Sequence, residues 1–295
     1  MPEGPLIEDP RLRALIGKVD VRVGAAVRRA RLARGLSIQQ QAHTIDSASG
    51  YALKVWVHRP AGATGPLPGV VLCPDGRADA ASFADTASPI TADEVAREGV
   101  AALRFDPAGR GGSWGDEDLG GPEHQDEVAM LVRWLGEQPD VDADRVGVLS
   151  VGDGLAMATG AIARCGAPAA WLLDYEGPSD RHTWNLDQAV AAPAHKLDDD
   201  TWWAPREPAR HVGALPCPYV RLQAEEDHAR PEELRHALRM ITAATAGDLP
   251  WFQINDHPRG DAPLRPWWLG PGRLRHNRAV LRKVKMLLAT RRVNP

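Results

Sequence analysis

Cysteine residues and long apolar runs are both scarce in this sequence. Only three cysteines occur among the 295 residues, at positions 73, 165 and 217. Because this set is odd and sparse, it argues against the disulfide framework of a secreted protein. No apolar run approaches the roughly 18 residues that a membrane-spanning helix requires, and the amino terminus lacks the basic and apolar regions of a signal peptide. These features predict a cytoplasmic protein without a membrane partner.

A strong excess of either charge is also lacking. The formal net charge is −4, and hydrophobic residues make up an ordinary 43% of the chain. This balance does not predict a nucleic-acid partner, and no spacing of ligand residues matches a defined metal motif. The length suits one large domain with a substantial core. We therefore expect a small-molecule substrate or ligand, with no metal or other cofactor.

Tyrosine and phenylalanine are rare, whereas tryptophan is abundant. The chain has three tyrosines, three phenylalanines and ten tryptophans. Aromatic faces near a binding site stack on sugars, heteroaromatic rings or cations. The alternative is that they pack a loop-rich cap that has few aliphatic residues. Six of the tryptophans fall late in the chain: Trp184, Trp202, Trp203, Trp251, Trp267 and Trp268.

The sequence divides into a basic extension and one larger domain. Residues 1–37 carry many arginines, and apolar residues recur there at helical spacing, which predicts an amphipathic helix. This helix either packs on the main domain or forms a contact with a second copy in a homodimer or with an anionic surface. Residues 38–295 form the predicted domain. Within it, residues 177–215 lose periodicity and are rich in Trp, Asp, Pro and His, which predicts a small cap insertion.

Buried strands alternate with helices along this domain. An initial pair of strands is predicted on either side of a turn at residues 46–50, and Thr91 to Glu94 forms a capping box that begins a helix. Such alternation indicates an α/β fold with a mostly parallel sheet covered on both faces. Ligands bind such sheets beyond the carboxyl ends of the strands. The predicted buried strands are GVVLC, VAALRFD, RVGVLS, AAWLLD, PYVRLQ and WFQIN.

Three segments resemble motifs of the α/β-hydrolase superfamily, and the resemblance spans about residues 38–292. RFDPAGRGGS at 104–113 is similar to the loop after that family's fourth strand. CPDGRAD at 73–79 lies where the family keeps its oxyanion loop, with Asp75 and Gly76 in place of the usual His-Gly. DADRVGVLSVGDGLAM at 142–157 resembles the strand, nucleophile elbow and helix. The resemblance implies that Asp75, Gly76 and the elbow residues contact the substrate.

The elbow of this family carries the nucleophilic serine in a G-x-S-x-G pattern. The serine commonly follows the Arg that opens the strand by seven residues, and counting from Arg145 reaches Gly152. Glycine therefore stands at the nucleophile position and is followed by Asp153. In a second register Ser150 is the nucleophile, which shortens the strand and puts Val148 where a small residue is needed. In the first register, replacing Gly152 by serine is expected to restore esterase activity if the rest of the site is intact.

The resemblance also implies partners for a catalytic triad. Asp227 matches the acid of the family, and His257, which lies 30 residues later, matches the base. The alternative for Asp227 is a helix-capping loop, and for His257 a surface turn. Asp174 occupies a position from which some members supply the acid instead. Asp174, Glu176, Asp180 and His182 are expected to face one rim of the sheet.

These features leave three functional hypotheses. The first is an atypical hydrolase of ester or amide bonds, with Ser150 as a displaced nucleophile or with water activated by His257. The second is a non-catalytic pseudo-hydrolase that binds a small molecule in the same pocket. The third is an interaction protein that uses the basic amino-terminal helix. The predicted substrate-binding residues are Gly152, Asp153, Asp75, Gly76, Asp174, Glu176, Trp184 and Trp202.

Overall fold

The computed structural model describes residues 37–181, 196, 198–224, 234–255, 257–258 and 273–292. Within these residues nine strands form one sheet in the order β1-β2-β4-β3-β5-β6-β7-β8-β9. Strands β3 to β8 pair in parallel, while the β1–β2, β2–β4 and β8–β9 pairs are antiparallel. The strands are β1 (Ile38–Asp46), β2 (Ala52–Pro60), β3 (Leu67–Cys73), β4 (Ala101–Phe105), β5 (Val141–Val151), β6 (Leu172–Tyr175), β7 (Tyr219–Leu222), β8 (Phe252–Ile254) and β9 (His257–Pro258).

Helices cover both faces of this sheet. Successive residues of β3 point to opposite faces: Val71 joins a core with Leu131 of α2, whereas Val70 joins a second core with Val280 of α7. Helices α2, α3 and α6 contribute to the first core, and α1 and α7 to the second. The described helices are α1 (Ala92–Ala96), α2 (Pro122–Gly136), α3 (Gly154–Ala163), α4 (Asp200–Trp203), α5 (Pro208–His211), α6 (Leu234–Ala246) and α7 (Arg273–Leu287).

The predicted mostly parallel sheet with helices on both faces is confirmed. The capping box also forms, because the Thr91 hydroxyl accepts a hydrogen bond from the Glu94 backbone at 3.2 Å and Glu94 accepts one from the Thr91 backbone at 3.0 Å. The short strand β9 was not predicted. Part of the predicted cap contains α4 and α5, and the basic extension at residues 1–36 lies outside the described residues. No helix in the described ranges is both long and apolar enough to cross a membrane.

Three residues at the carboxyl ends of the parallel strands adopt a left-handed backbone conformation. They are Gly152 after β5, Glu176 after β6 and Asn255 after β8, with φ values of 50°, 56° and 49°. Such values are uncommon for residues other than glycine, and strained backbone clusters at functional sites. Glu176 is tied to the end of β7, because its Oε1 accepts a hydrogen bond from the Ala224 backbone at 2.7 Å. We therefore expect a functional site at the carboxyl edge of the sheet.

Helix α2 carries two buried titratable groups whose pKa values are shifted in opposite directions. Glu127 accepts a hydrogen bond from the Tyr51 hydroxyl at 2.6 Å, and burial raises its pKa to about 7. His124 accepts a hydrogen bond from the Gly120 backbone at Nδ1, at 3.1 Å, so its Nε2 donates to the Ala108 carbonyl, also at 3.1 Å. Burial lowers the pKa of His124 to about 4. Both groups therefore favour their neutral forms in the folded protein.

These two groups should give opposing pH dependences of stability. Because the pKa of Glu127 is raised, this group stabilises the folded protein at low pH, and the stabilisation is lost as the pH rises toward 7. Because the pKa of His124 is lowered, its stabilisation is lost in the opposite direction, as the pH falls from 6.5 toward 4. We expect Glu127→Gln to lose stability on acidification relative to the parent, and His124→Gln to gain it, by up to about 3 kcal/mol each. Urea unfolding between pH 4 and 7.5 measures both slopes, and parallel profiles for the two variants would contradict this account.

Candidate active site at the turn after β5

The turn between β5 and α3 is centred on Gly152. Strand β5 ends at Val151, α3 begins at Gly154, and the Gly152 backbone donates a hydrogen bond to the Tyr175 carbonyl at 2.9 Å. The left-handed conformation of Gly152 costs glycine little. This is the sharp strand-to-helix turn that holds the nucleophile in the α/β-hydrolase fold. The residue at its corner has no side chain.

A second glycine lets the loop after β3 approach this turn closely. A β-carbon at Gly154 would lie 2.6 Å from the carbonyl oxygens of both Cys73 and Pro74. Because these are backbone atoms, they cannot rotate away from a larger residue as a side chain would. Gly154 therefore brings the predicted oxyanion loop against the elbow.

The Asp75 carboxylate occupies the space beside Gly152 where an elbow side chain would begin. A β-carbon at Gly152 would overlap Oδ1 and Cγ of Asp75 and lie 2.9 Å from its Oδ2. Asp75 Oδ1 accepts a hydrogen bond from the Asp153 backbone at 2.8 Å. Gly76 also lies here, since its β-carbon would be 3.7 Å from Asp153 Oδ2. The structure thus brings together four of the residues selected from the sequence, Asp75, Gly76, Gly152 and Asp153.

This arrangement determines what the elbow can do chemically. In hydrolases of this fold, the backbone N–H of the residue after the nucleophile stabilises the oxyanion. Here the corresponding N–H, that of Asp153, is bound to the Asp75 carboxylate. A covalent acyl-enzyme at this turn needs a nucleophilic side chain, which Gly152 does not have. The elbow therefore presents a carboxylate where a serine hydrolase presents a hydroxyl.

The loop that carries Asp75 is held by the motif at residues 104–113. Asp106 Oδ1 accepts a hydrogen bond from the Ala80 backbone at 2.9 Å, and Asp106 Oδ2 accepts one from the Gly112 backbone at 2.7 Å. Arg110 donates to the Ala78 carbonyl at 3.1 Å and forms an ion pair with Glu117 at 2.7 Å. The sequence motif therefore has a clear role, which is to fix the segment that follows Asp75.

Ser150, the alternative nucleophile, lies within β5 and not at the turn. It pairs in register with Cys73 of β3 and Asp174 of β6 and is fully buried. Its hydroxyl has no hydrogen-bond partner among the described residues. A substrate at the turn has no access to a hydroxyl in this position. The structure therefore places Ser150 inside the sheet, two residues before the turn.

Asp174, the alternative acid, belongs to a buried polar network inside the sheet. Its Oδ2 accepts hydrogen bonds from the Tyr219 hydroxyl and from Arg221, each at 2.6 Å, and its Oδ1 accepts one from the Gly177 backbone at 2.8 Å. Burial raises the pKa of Asp174, while Arg221 and the hydrogen bonds act in the opposite direction. Arg221 also binds Gln223 Oε1 at 2.6 Å. Asp174 is thus engaged in holding β6 and β7 together.

The other carboxylates near this rim have partners of their own. Asp180 Oδ2 accepts a hydrogen bond from the Ser179 hydroxyl at 2.9 Å and forms an ion pair with Arg239 at 2.8 Å, and Glu176 binds the end of β7. Among the described residues, no group of three or more His, Cys, Asp or Glu side chains is arranged to hold a metal ion. His182 lies outside the described residues.

The tryptophan and triad predictions are only partly covered by the structure. The Arg206 guanidinium lies 3.9 Å from the centroid of the Trp202 ring and forms an ion pair with Asp118. Trp202 is therefore half-buried against a side chain of the protein itself. Trp184 and Asp227 lie outside the described residues. For His257 only the backbone is described, in β9 beside Ile254 of β8.

Comparison with known proteins identifies the fold. The family model of the X-Pro dipeptidyl-peptidases (S15 family) matches residues 49–152. Porphyromonas gingivalis dipeptidyl peptidase 4 aligns with a TM-score of 0.67 and 16% identity over 89% of this chain and 37% of that chain. A puromycin-hydrolyzing peptidase from Mycobacterium tuberculosis aligns with a TM-score of 0.62 and 17% identity over 85% and 38% of the two chains. A mutant of the esterase rPPE aligns with a TM-score of 0.57 and 18% identity over 93% and 92%.

The family model and the matches to the two peptidases are partial. The chain spans only 37% of the P. gingivalis peptidase, and the family model covers about a third of the chain. A search of curated protein sequences found no significant match. The structural matches are nevertheless long, and they agree with the parallel sheet and the strand–turn–helix at Gly152. The chain therefore has the α/β-hydrolase fold, as the resemblance in its sequence predicted.

Proposed function

We propose that this protein is an atypical hydrolase of ester or amide bonds in small molecules that does not form a serine acyl-enzyme. The observation that carries the proposal is the elbow itself, where Gly152 offers no nucleophile and the Asp75 carboxylate fills the adjacent space. Related folds occur in peptidases and an esterase. Because the fold alone does not determine function, the support for this type of chemistry comes from the elbow geometry.

Water is the nucleophile in this proposal. A serine hydrolase divides its reaction through a covalent intermediate, which the side chain of Gly152 cannot provide. A general base beside the elbow can instead deprotonate a bound water molecule for direct attack on the carbonyl carbon. His257, oriented by Asp227, is the base that the resemblance implies. The proposal needs no metal or cofactor and no nucleic-acid or membrane partner.

The second candidate is a pseudo-hydrolase that binds a small molecule without converting it. One observation favours it specifically. The Asp153 N–H, which would stabilise an oxyanion, already binds Asp75 Oδ1 at 2.8 Å. A negatively charged oxygen at this position opposes a second negative charge developing beside it. In this case a small molecule binds near the elbow, and Asp75 keeps the Asp153 N–H from acting in catalysis.

The cellular location is also a proposal. All three cysteines lie in the part of the chain that the structure describes, and all are free thiols. Cys73 and Cys217 are buried. Free thiols are typical of reducing compartments. We therefore propose that the protein acts in the cytoplasm.

The test combines a fluorophosphonate probe with an assay of activated esters. We expect no probe adduct on the folded protein but ester hydrolysis about 10³- to 10⁴-fold above the uncatalysed rate, the level that survives in a serine protease without its nucleophile. Ser150→Ala should keep this activity, because Ser150 is buried in β5. A stoichiometric adduct on a serine would overturn the proposal. Ligand binding without turnover would support the second candidate instead.

A further inference from the structure

The Asp75 side chain takes the position that the elbow residue leaves empty. Its Oδ1 and Cγ lie where a β-carbon of Gly152 would be, so the carboxylate is at the strand-to-helix corner although it comes from the loop after β3. We propose that Asp75 is the catalytic base of this protein and deprotonates the water that attacks the substrate. This inference rests on the proposed hydrolase function and gives Asp75 the role of base that the resemblance implies for His257.

The loop holds Asp75 firmly in this position. Its Oδ1 is bound by the Asp153 backbone, and its carbonyl accepts a hydrogen bond from the Ala78 backbone, each at 2.8 Å. The carbonyl of Ala78 is bound in turn by Arg110, and that of Ala80 by Arg104 at 2.9 Å. Asp75 itself is half-buried, so solvent reaches the residue. A base fixed in this way loses little freedom when substrate binds.

The chemistry of carboxylates favours a base over a nucleophile at this position. Attack by Asp75 on an ester would give a tetrahedral adduct from which the carboxylate, a far weaker base than an alkoxide or amide ion, leaves first. The adduct would therefore return to the starting ester. Proton transfer from water to a positioned carboxylate avoids this reversal and contributes about 10²- to 10⁴-fold to the rate of such reactions.

The proposed step is balanced without another reactant. Asp75 takes a proton from water as the water oxygen forms a bond to the carbonyl carbon, and the C=O π pair moves to the carbonyl oxygen. When the tetrahedral intermediate collapses, the C=O bond forms again and the bond to the leaving group breaks. The leaving group takes the proton from Asp75, which returns to its carboxylate form. One water molecule is consumed, and one acid and one alcohol or amine are released.

The experiment compares Asp75→Asn with the parent protein in the ester assay. Asparagine keeps the size of the side chain and an oxygen that accepts the Asp153 hydrogen bond, but it cannot take a proton from water. We expect kcat/KM to fall at least about 10²-fold, the acid limb of its pH profile to disappear, and KM to change little. Asp79→Asn is the matched control on the same loop. Asp79 caps the short helical turn at Ala80–Phe83, and asparagine is an equally good cap.

Each other outcome has a defined meaning. Unchanged or higher activity in Asp75→Asn would overturn the inference and would mean that Asp75 only fills the space beside Gly152. The proposed hydrolase function would still stand. Incorporation of ¹⁸O into Asp75 during a single turnover in H₂¹⁸O would overturn the base role in favour of a nucleophile. A parent protein without ester or amide hydrolysis would overturn both the inference and the proposed function. Circular dichroism and urea unfolding of Asp75→Asn verify that the variant is folded.

Discussion

Replacing Asp174 by asparagine is expected to destabilise the protein by about 3–5 kcal/mol, the usual effect of removing one partner of a buried ion pair. Both Asp174 and Arg221 are fully buried, and their atoms lie 2.6 Å apart. The variant removes the carboxylate that pairs with the buried guanidinium of Arg221. Arginine cannot lose its proton in a protein, so the guanidinium stays charged in the variant. Because the pKa of Asp174 is raised in the parent, the cost should be no larger at pH 8 than at pH 5. The free energy of urea unfolding at pH 5 and pH 8 measures it.

The opposite deletion, Arg221→Met, should behave differently. Burial already raises the pKa of Asp174, and without Arg221 the carboxyl group can become neutral. A raised pKa gives stability at low pH that is lost as the pH rises. The cost of Arg221→Met should therefore be clearly larger at pH 8 than at pH 5. Equal costs at the two pH values, or a cost of Asp174→Asn below about 1 kcal/mol, would contradict this account.

A control for these variants is available on a more exposed ion pair. Arg291 binds Asp142 at 3.2 Å, and its side chain is 62% exposed. Solvent screens such pairs, and they typically contribute about 0–1 kcal/mol. Asp142 also keeps its ion pair with Arg145, so Arg291→Met should have a small effect at both pH values. The contrast with Arg221→Met separates burial of the charge from the mere presence of an ion pair.

The fold follows from the sequence because its signals are local. Buried strands such as β3 and β5 are continuous apolar runs, and the helix after Thr91 begins with a capping box that forms as predicted. The two-residue strand β9 was missed because two residues carry no periodicity. The left-handed Glu176 and Asn255 were missed because neither is glycine, the residue that usually marks this conformation.

The site was only partly predictable, for a different reason. Counting from Arg145 located the turn at Gly152, since strand length is a local property. The contact between Asp75 and the Asp153 backbone joins residues 78 positions apart. It depends on how closely the loop after β3 approaches the turn after β5. Local sequence patterns do not encode this distance. The only signal was the Asp-Gly pair in place of the family's usual His-Gly, which marked Asp75 as unusual without placing its side chain.

That contact changes what is expected of Gly152→Ser. From the sequence, a serine here should restore esterase activity, but in the structure its β-carbon would overlap Asp75. Overpacking of this kind typically costs about 1–3 kcal/mol, and the left-handed backbone adds about 1–2 kcal/mol for a residue other than glycine. We therefore expect Gly152→Ser alone to be destabilised by at least about 2 kcal/mol and to react poorly with a fluorophosphonate. Urea unfolding and intact-mass spectrometry measure the two effects.

Removing the Asp75 side chain should relieve the overlap. In Gly152→Ser/Asp75→Ala the serine has room, and the Asp153 N–H becomes available to an oxyanion. We expect a coupling energy above about 1 kcal/mol in the double-mutant cycle, together with a fluorophosphonate adduct at position 152. Gly154→Ala is the matched control, because its β-carbon would meet the carbonyl oxygens of Cys73 and Pro74 at 2.6 Å. Asp75→Ala cannot relieve that overlap. Additive costs for positions 75 and 152 would show that the carboxylate does not occupy the elbow in solution.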